Sequence, residues 1–395
     1  MSLDVATLRA ETPGAAHRVH LNNAGAGLMP RPVLDTMLGY LTREAEIGGY
    51  EAAAEAAGAL DGVYASVARL LGADPDEIAL TENATVAWQR AFYAIPFRTG
   101  DRILTARAEY AANYVAFLQV ARRTGAVIEV IPDDGDGVLD PEALERMIDG
   151  RVKLIAITWV PTNGGLRNPA AAVGRIARRH GVTYLLDACQ AVGQMPTRVA
   201  EIGCDILTAT GRKFLRGPRG TGFLYVRREC LLRLEPPMID HYAAPWIAPD
   251  QYALRPDARR FETWESNCAA RLGLGRAVDY ALAIGLDAIE ARCRTLSTRL
   301  REGLRSLAGV TLHDLGPDPA AIVTFSVAGQ DADAVKAKLD QSGFNVSVSR
   351  PSSTLLDARA RQLPALVRAS PHYYNTEDEL ARFVVAVSEA VRAPD

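Results

Sequence analysis

Residues 183–222 constrain this chain more than any other stretch; they read TYLLDACQAVGQMPTRVAEIGCDILTATGRKFLRGPRGTG. A strand-like run over 183–186 ends in an acid, Asp187, and Gln190 follows it. A second apolar run over 205–209 leads into Thr210, Gly211, Arg212 and Lys213, and a loop rich in glycine and proline closes the stretch. The chemistry at the ends of these two runs fits one task. A lysine amine can form a Schiff base with an aldehyde cofactor, an acid can keep a pyridinium nitrogen protonated, and a hydroxyl with a guanidinium can bind a phosphate. Taken singly, Asp187 is equally a buried strand acid and Lys213 a solvated loop cation.

Composition shifts that balance. Of 44 basic residues only Lys153, Lys213, Lys336 and Lys338 are lysines. Lys336 and Lys338 fall in a polar helical stretch and Lys153 just precedes a strand, so Lys213 is the Schiff-base candidate by elimination.

Apolar runs at 76–80, 102–105, 127–131, 154–160, 183–187, 205–209 and 223–227 predict strands, with helical patterns between them. Runs apolar on both faces, alternating with helices, predict a mostly parallel α/β sheet. Ligands of such sheets lie beyond the C-terminal ends of the strands. Thr85, Tyr110, Thr162 and Asp187 all gather on that edge, which argues for one shared site. Residues 81–85 open a helix whose free N–H groups suit a phosphate; an ordinary N-cap at Asn83 or Thr85 accounts for the same residues. Tyr110 can stack on a flat ring or simply pack. Small residues around Asn23, Ala24 and Gly25 allow backbone to approach a ligand. A dinucleotide loop is excluded there, because Leu28, Met29 and Pro30 follow Gly25-Ala-Gly27.

Residues 32–71 read as helices broken near Gly48 and Gly49, and 236–264 form a long excursion rich in proline and aromatics. From about residue 287 the pattern changes to a small α+β arrangement: a helix to 307, strands at 322–327, 345–349 and 366–370, and helices at 332–341 and 377–391. The expected division is an N-terminal segment 1–20, a large domain 21–286 and a small domain 287–395 that the N-terminal segment joins. Arg368 sits on the last small-domain strand. A guanidinium there is costly unless paired, and a substrate carboxylate or a structural acid would both serve.

The bulk numbers exclude several classes. A net charge of −3 argues against a nucleic-acid binder. The apolar runs are too short to span a membrane, and the N-terminus lacks a basic n-region and an apolar h-region, so the expected location is cytoplasmic. Five scattered cysteines without a CxxC fit a reducing compartment rather than a disulfide framework or a metal site.

Together these residues, from Leu21 to Val391, resemble the class V aminotransferases, the fold-type I enzymes that use pyridoxal 5'-phosphate. Cysteine desulfurases, epimerase-like proteins and C–S lyases of thiol pathways are among them. The resemblance implies a large domain with a mostly parallel seven-stranded sheet and a small C-terminal α+β domain. It implies Lys213 as the Schiff-base lysine and Asp187 as the partner of the pyridine nitrogen. Ala84, Thr85, Thr210 and Arg212 would hold the phosphate. Tyr110 takes a ring-stacking place where many relatives have histidine. Gln190, with Thr162 or Asn163, would lie near the phenolic oxygen. Thr263 would reach the phosphate of a neighbouring subunit, implying a homodimer with a shared site. Arg368 would grip the α-carboxylate of an amino-acid substrate, and Asn23, Ala24 and Gly25 would line the same pocket.

The departures from the pattern matter as much. Desulfurases carry a nucleophilic cysteine on a small-domain loop; here that loop reads SVSRPSST over 347–354, and no cysteine follows Cys293. Tyrosine in place of histidine removes a titratable group but keeps a stacking surface and a phenolic proton. The expected activity is therefore β-elimination from a cysteine S-conjugate or its sulfoxide. Transamination, epimerisation and decarboxylation are the alternatives, and a non-catalytic scaffold is the third class. Arg350, with Arg255 and Arg259, is a candidate for contact with the distal part of a substrate, or a solvated cation.

Overall fold

The computed structural model describes residues 3–392; the ends of the first and last expected segments, 1–2 and 393–395, lie outside the described residues. Seven strands form the main sheet: β1 (Ile78–Thr81), β2 (Arg102–Thr105), β3 (Val127–Val130), β4 (Val152–Thr158), β5 (Thr183–Asp187), β6 (Ile206–Thr210) and β7 (Gly222–Val226). Their order is β1-β7-β6-β5-β4-β2-β3. β2 through β6 run parallel, and β7 is antiparallel to both of its neighbours. The central strands β5, β6 and β7 are buried almost throughout because helices cover both faces. Edge strand β3 is partly exposed.

Differences from the expected spans have local causes. A 3-10 turn, Pro75–Glu77, with Asp74 and Glu77 in a reciprocal cap, delays β1 by two residues. β4 starts earlier and ends at Thr158, where the Trp159 N–H turns to the Asp187 carbonyl. β6 includes Thr210, so that hydroxyl belongs to a strand end and not to the following loop.

A second sheet of four antiparallel strands holds β8 (Val310–Leu312), β9 (Val323–Val327), β10 (Ser347–Ser349) and β11 (Leu366–Ala369), in the order β8-β9-β11-β10. Sequence reasoning missed β8, a three-residue edge strand with half-exposed side chains. Helices Leu286–Arg305, Ala332–Gln341 and Glu377–Arg392 pack on this sheet around their own apolar cluster. The N-terminal segment joins it: Val19 and His20 pair in parallel with Phe344 and Asn345. The 236–264 excursion is folded, with a hairpin of Trp246–Ala248 and Gln251–Tyr252 and a 3-10 turn at Ala258–Phe261. Among the described residues no helix is long and apolar enough to cross a membrane.

Candidate active site

The C-terminal ends of β2, β4, β5 and β6 bring Glu109, Thr158, Asp187 and Thr210 to one edge of the main sheet, as a parallel arrangement requires. Asp187, the last residue of β5, is buried. Its Oδ1 accepts the Cys189 N–H at 2.9 Å and its Oδ2 accepts the Asn113 side-chain amide at 3.0 Å. Lys213 lies in the turn after β6, within the field of Asp187, Cys189, Arg212 and Arg368. Burial pushes its ammonium below the ordinary lysine range, which raises the fraction of neutral, nucleophilic amine.

Tyr110 occupies the N-cap position of helix Ala111–Thr124 and is 38% exposed. Burial and then the nearby Asp187 charge push its phenol up, which keeps it protonated at neutral pH. Asn83 caps helix Ala84–Tyr93 by accepting the Val86 N–H at 3.0 Å. The N–H groups of Ala84 and Thr85 in its first turn point past the end of β1, where an anion would find both donors and the positive end of the helix. β7 lies close against this turn: a Cβ on Gly222 would come within 2.7 Å of the Asn83 carbonyl carbon and 2.9 Å of the Ala84 nitrogen.

The segment 22–27 is a bridge between the two sheets. Gly27 donates its N–H to the Arg212 carbonyl at 2.8 Å, and a Cβ there would stand 2.6 Å from the Lys213 carbonyl. Arg212 in turn donates to the Gly25 carbonyl, and Gln190 donates to the Ala24 carbonyl at 3.1 Å. Toward the second sheet, Ala24 N–H donates to the Ser370 hydroxyl at 2.9 Å. The Asn23 side chain is occupied at both ends, donating to the Ser370 carbonyl at 2.8 Å and accepting from the Tyr374 hydroxyl at 2.7 Å. Asn23 thus clamps the 22–27 segment to the second sheet.

Arg368 is buried on β11 and has no carboxylate partner among the described residues. Its Nε donates to the Ser347 hydroxyl at 3.0 Å and its Nη1 to the Thr162 carbonyl at 3.3 Å and the Thr162 hydroxyl. Burial, then the neighbouring Arg212 charge, holds it down at about 10. A buried cation facing a second cation is stabilised by an incoming anion.

Other expected contacts fall elsewhere. The Asn163 amide donates to the Arg350 carbonyl at 3.1 Å and the Thr354 hydroxyl at 2.9 Å, fastening the 347–354 loop, while its Oδ1 is buried without a partner. Arg350, expected at the distal part of a substrate, pairs its guanidinium with Asp333 at 2.8 Å on the surface. Arg255 is likewise held by Asp257, and Arg259 lies over the Tyr64 ring at 3.9 Å. Thr210 donates its hydroxyl proton to the Thr221 carbonyl at 3.2 Å, so it offers only lone pairs elsewhere. Thr263 lines a small cleft with Thr81, Glu82, Gly220 and Gly222.

Two residues of the site escaped the sequence reading. Glu109 and Asn113 flank Tyr110 and are both buried. Their spacing, four residues across a helix start with the acid directly before the aromatic, was the available signal.

The donor set suits pyridoxal phosphate. It offers a lysine with a lowered pKa, a buried acid, a helix start at the same edge of the sheet, and a buried Gln190 Oε1 that lacks a partner. Comparisons with known proteins agree. The model of the family described as Aminotransferase class-V matches residues 19–383. A probable cysteine desulfurase of Xylella fastidiosa is 34% identical over 98% of this chain and 95% of its own length. An apo cysteine desulfurase from Thermococcus onnurineus NA1 superposes with a TM-score of 0.92 at 28% identity, covering 99% of each chain. The cystine C–S lyase C-DES, in complex with its product cysteine persulfide, shares the fold with a TM-score of 0.86 at 22% identity, covering 96% of this chain and 99% of that one. The chain belongs to the class V aminotransferases, pyridoxal phosphate enzymes of fold-type I.

Proposed function

We propose that this enzyme cleaves the C–S bond of a cysteine S-conjugate or its sulfoxide by β-elimination, giving a thiol or sulfenic acid with pyruvate and ammonia. The observation that carries this reading is the 347–354 loop, which bears serine and threonine hydroxyls and no thiol. Taking sulfur from cysteine as an enzyme persulfide needs a thiolate near the substrate. Cys189 lies beside Asp187 and Lys213, but burial and then the Asp187 charge push its thiol well above the ordinary range. Elimination needs no enzyme thiol, because the sulfur departs with its own substituent.

In this reading Arg368 binds the substrate α-carboxylate and Asp187 holds the pyridine nitrogen. Arg212 and the Ala84 and Thr85 N–H groups would hold the phosphate, with Thr210; Gln190 and Thr162 or Asn163 would serve the phenolic oxygen, and Tyr110 would supply a stacking surface for the ring. The bound cofactor supplies an electron sink for charge developing at Cα. Lys213 Nζ takes the Cα proton; the Cα–Cβ double bond forms as the Cβ–S bond breaks, and the sulfur leaves with the bonding pair. Water then converts the released unsaturated amine to pyruvate and ammonia.

Incubation with S-alkylcysteines and, separately, with L-cysteine tests the reading. Stoichiometric pyruvate and thiol from the conjugate support it. Alanine from cysteine, with sulfide appearing only when an added thiol reduces the sulfur that is set free, would instead favour desulfuration, the second reading, which the names of the relatives favour. The 2-keto acid of the intact substrate would make the enzyme an aminotransferase.

We also propose a homodimer in which Thr263 reaches the partner's phosphate site. An open groove of about 690 Å³, lined by Tyr40, Tyr50, Trp264 and Cys268, adjoins that loop, and Tyr50 and Trp264 are 78% and 55% exposed. Sedimentation equilibrium at micromolar concentration should give twice the chain mass, and a monomer would remove Thr263 from the site.

A further inference from the structure

Glu109 is 3% exposed and receives five hydrogen bonds. Oε1 accepts the Tyr110 N–H at 2.9 Å, the Asn113 amide at 2.8 Å and the Thr158 hydroxyl at 2.5 Å. Oε2 accepts the Thr158 N–H at 2.9 Å and the Thr105 hydroxyl at 3.3 Å. The same Asn113 amide group that meets Glu109 donates to Asp187 Oδ2 at 3.0 Å. One amide therefore bridges two buried carboxylates, one hydrogen to each.

We propose that Glu109 is a positioning residue for this site: through Asn113 it aims the Asp187 carboxylate, and through the Tyr110 N–H it fixes the helix start that carries the aromatic. This rests on the reading of Asp187 as partner of the pyridine nitrogen. The geometry requires a carboxyl group at position 109 and not an amide. Each of its oxygens faces at least one N–H that can only donate: Tyr110 and Asn113 on Oε1, Thr158 on Oε2. A glutamine amide in either orientation would set its own N–H against one of these donors. The hydroxyls of Thr105 and Thr158 can reverse and accept, so a protonated carboxyl is also accommodated. In keeping with this, burial pushes the Glu109 carboxyl up to about 7 against the pull of its donors.

Turning or losing the Asn113 amide takes from Asp187 Oδ2 the side-chain N–H that it accepts at 3.0 Å. The carboxylate then keeps the Cys189 backbone N–H on Oδ1 and the Cys189 thiol beside it. Its alignment with a ring nitrogen loosens, and so does its hold on the ring proton.

The test measures the dissociation constant of pyridoxal phosphate and its visible absorption band, including the pH midpoint of that band. The proteins are the wild type, Glu109→Gln, Asn113→Ala, the double variant and Asp187→Asn. Glu109→Gln and Asn113→Ala are each expected to weaken binding about tenfold and to shift the band midpoint in the direction Asp187→Asn shifts it. The double variant is expected to match Glu109→Gln, since Glu109 acts through Asn113. A wild-type band and affinity in Glu109→Gln overturns the inference, as do effects of the two single variants that multiply. A fall in thermal stability with the band unmoved also overturns it, because the role is then only structural. If Glu109→Gln does not fold, an unchanged Asn113→Ala overturns it alone. An unchanged Asp187→Asn instead overturns the pyridine-partner reading, whatever Glu109 does.

Discussion

Arg216 and Arg368 are both buried arginines without a carboxylate partner among the described residues, yet their surroundings differ in kind. Arg216 is 1% exposed and every guanidinium nitrogen is used: Nε donates to the Leu28 carbonyl at 2.7 Å, Nη1 to the Tyr373 hydroxyl at 2.5 Å and Nη2 to the Thr12 hydroxyl at 2.6 Å. Its charge also lies 4.4 Å from the Tyr374 ring centre and 5.1 Å from that of Tyr373. Its backbone sits at φ 62°, a strained conformation for a residue with a Cβ, which persists because these contacts over-determine it. Arg368, 9% exposed, has partners for Nε and Nη1 and, among the described residues, none for Nη2. A buried cation with all donors satisfied joins parts of the fold. One with an idle donor pair beside other cations is complementary to an anion that arrives from outside.

That contrast can be broken by experiment. The largest effect is expected at neither arginine but at Lys213: Lys213→Ala should lower turnover by on the order of 10³-fold or more while the circular dichroism spectrum stays native. Appreciable residual turnover would move the Schiff base to another amine. Arg216→Met should cost about 3–5 kcal/mol of stability, because it strands the Tyr373 and Thr12 hydroxyls and the Leu28 carbonyl in the interior. Denaturant unfolding reads this directly, and a Tm like that of the wild type would mean the site is not a structural joint.

Arg368→Met should do the reverse. Burial holds the Arg368 pKa down at about 10, so the charged form is disfavoured in the fold, and removing it should leave Tm unchanged or raised. The loss of a bidentate partner for the substrate carboxylate should raise KM about 30- to 100-fold, equivalent to roughly 2–3 kcal/mol. A lowered Tm with an unchanged KM would make Arg368 a second Arg216. The smallest effect is expected at Arg350, whose exposed pair with Asp333 should contribute less than about 1 kcal/mol. Arg350→Ala should therefore leave both KM and unfolding nearly as they were, and a large rise in KM would return Arg350 to the substrate pocket.

The main sheet and the Lys213–Asp187 pair were legible in the chain because they depend on local pattern. Apolar runs of strand length, each followed by a polar or small-residue turn, report the C-terminal edge of a parallel sheet. A scarcity of lysines makes Lys213 conspicuous. The excursion at 236–264 was visible as a break in pattern, but not its hairpin, whose side chains are largely exposed and carry little periodic signal.

By itself, then, the sequence determined which strand ends carry an acid, a lysine, an aromatic and an arginine, because hydrophobic period and turn chemistry act over a few residues. Only the tertiary structure decided what each polar group faces. The Glu109 carboxylate meets Thr158 across 49 residues, Asn113 meets Asp187 across 74, and Arg216 meets Tyr373 across 157. No local rule distinguishes Arg216 from Arg368, or Asn23 as a clamp from Asn23 as a ligand contact. A buried polar side chain is defined by the partners that satisfy it, and those arrive from elements that the fold alone brings together.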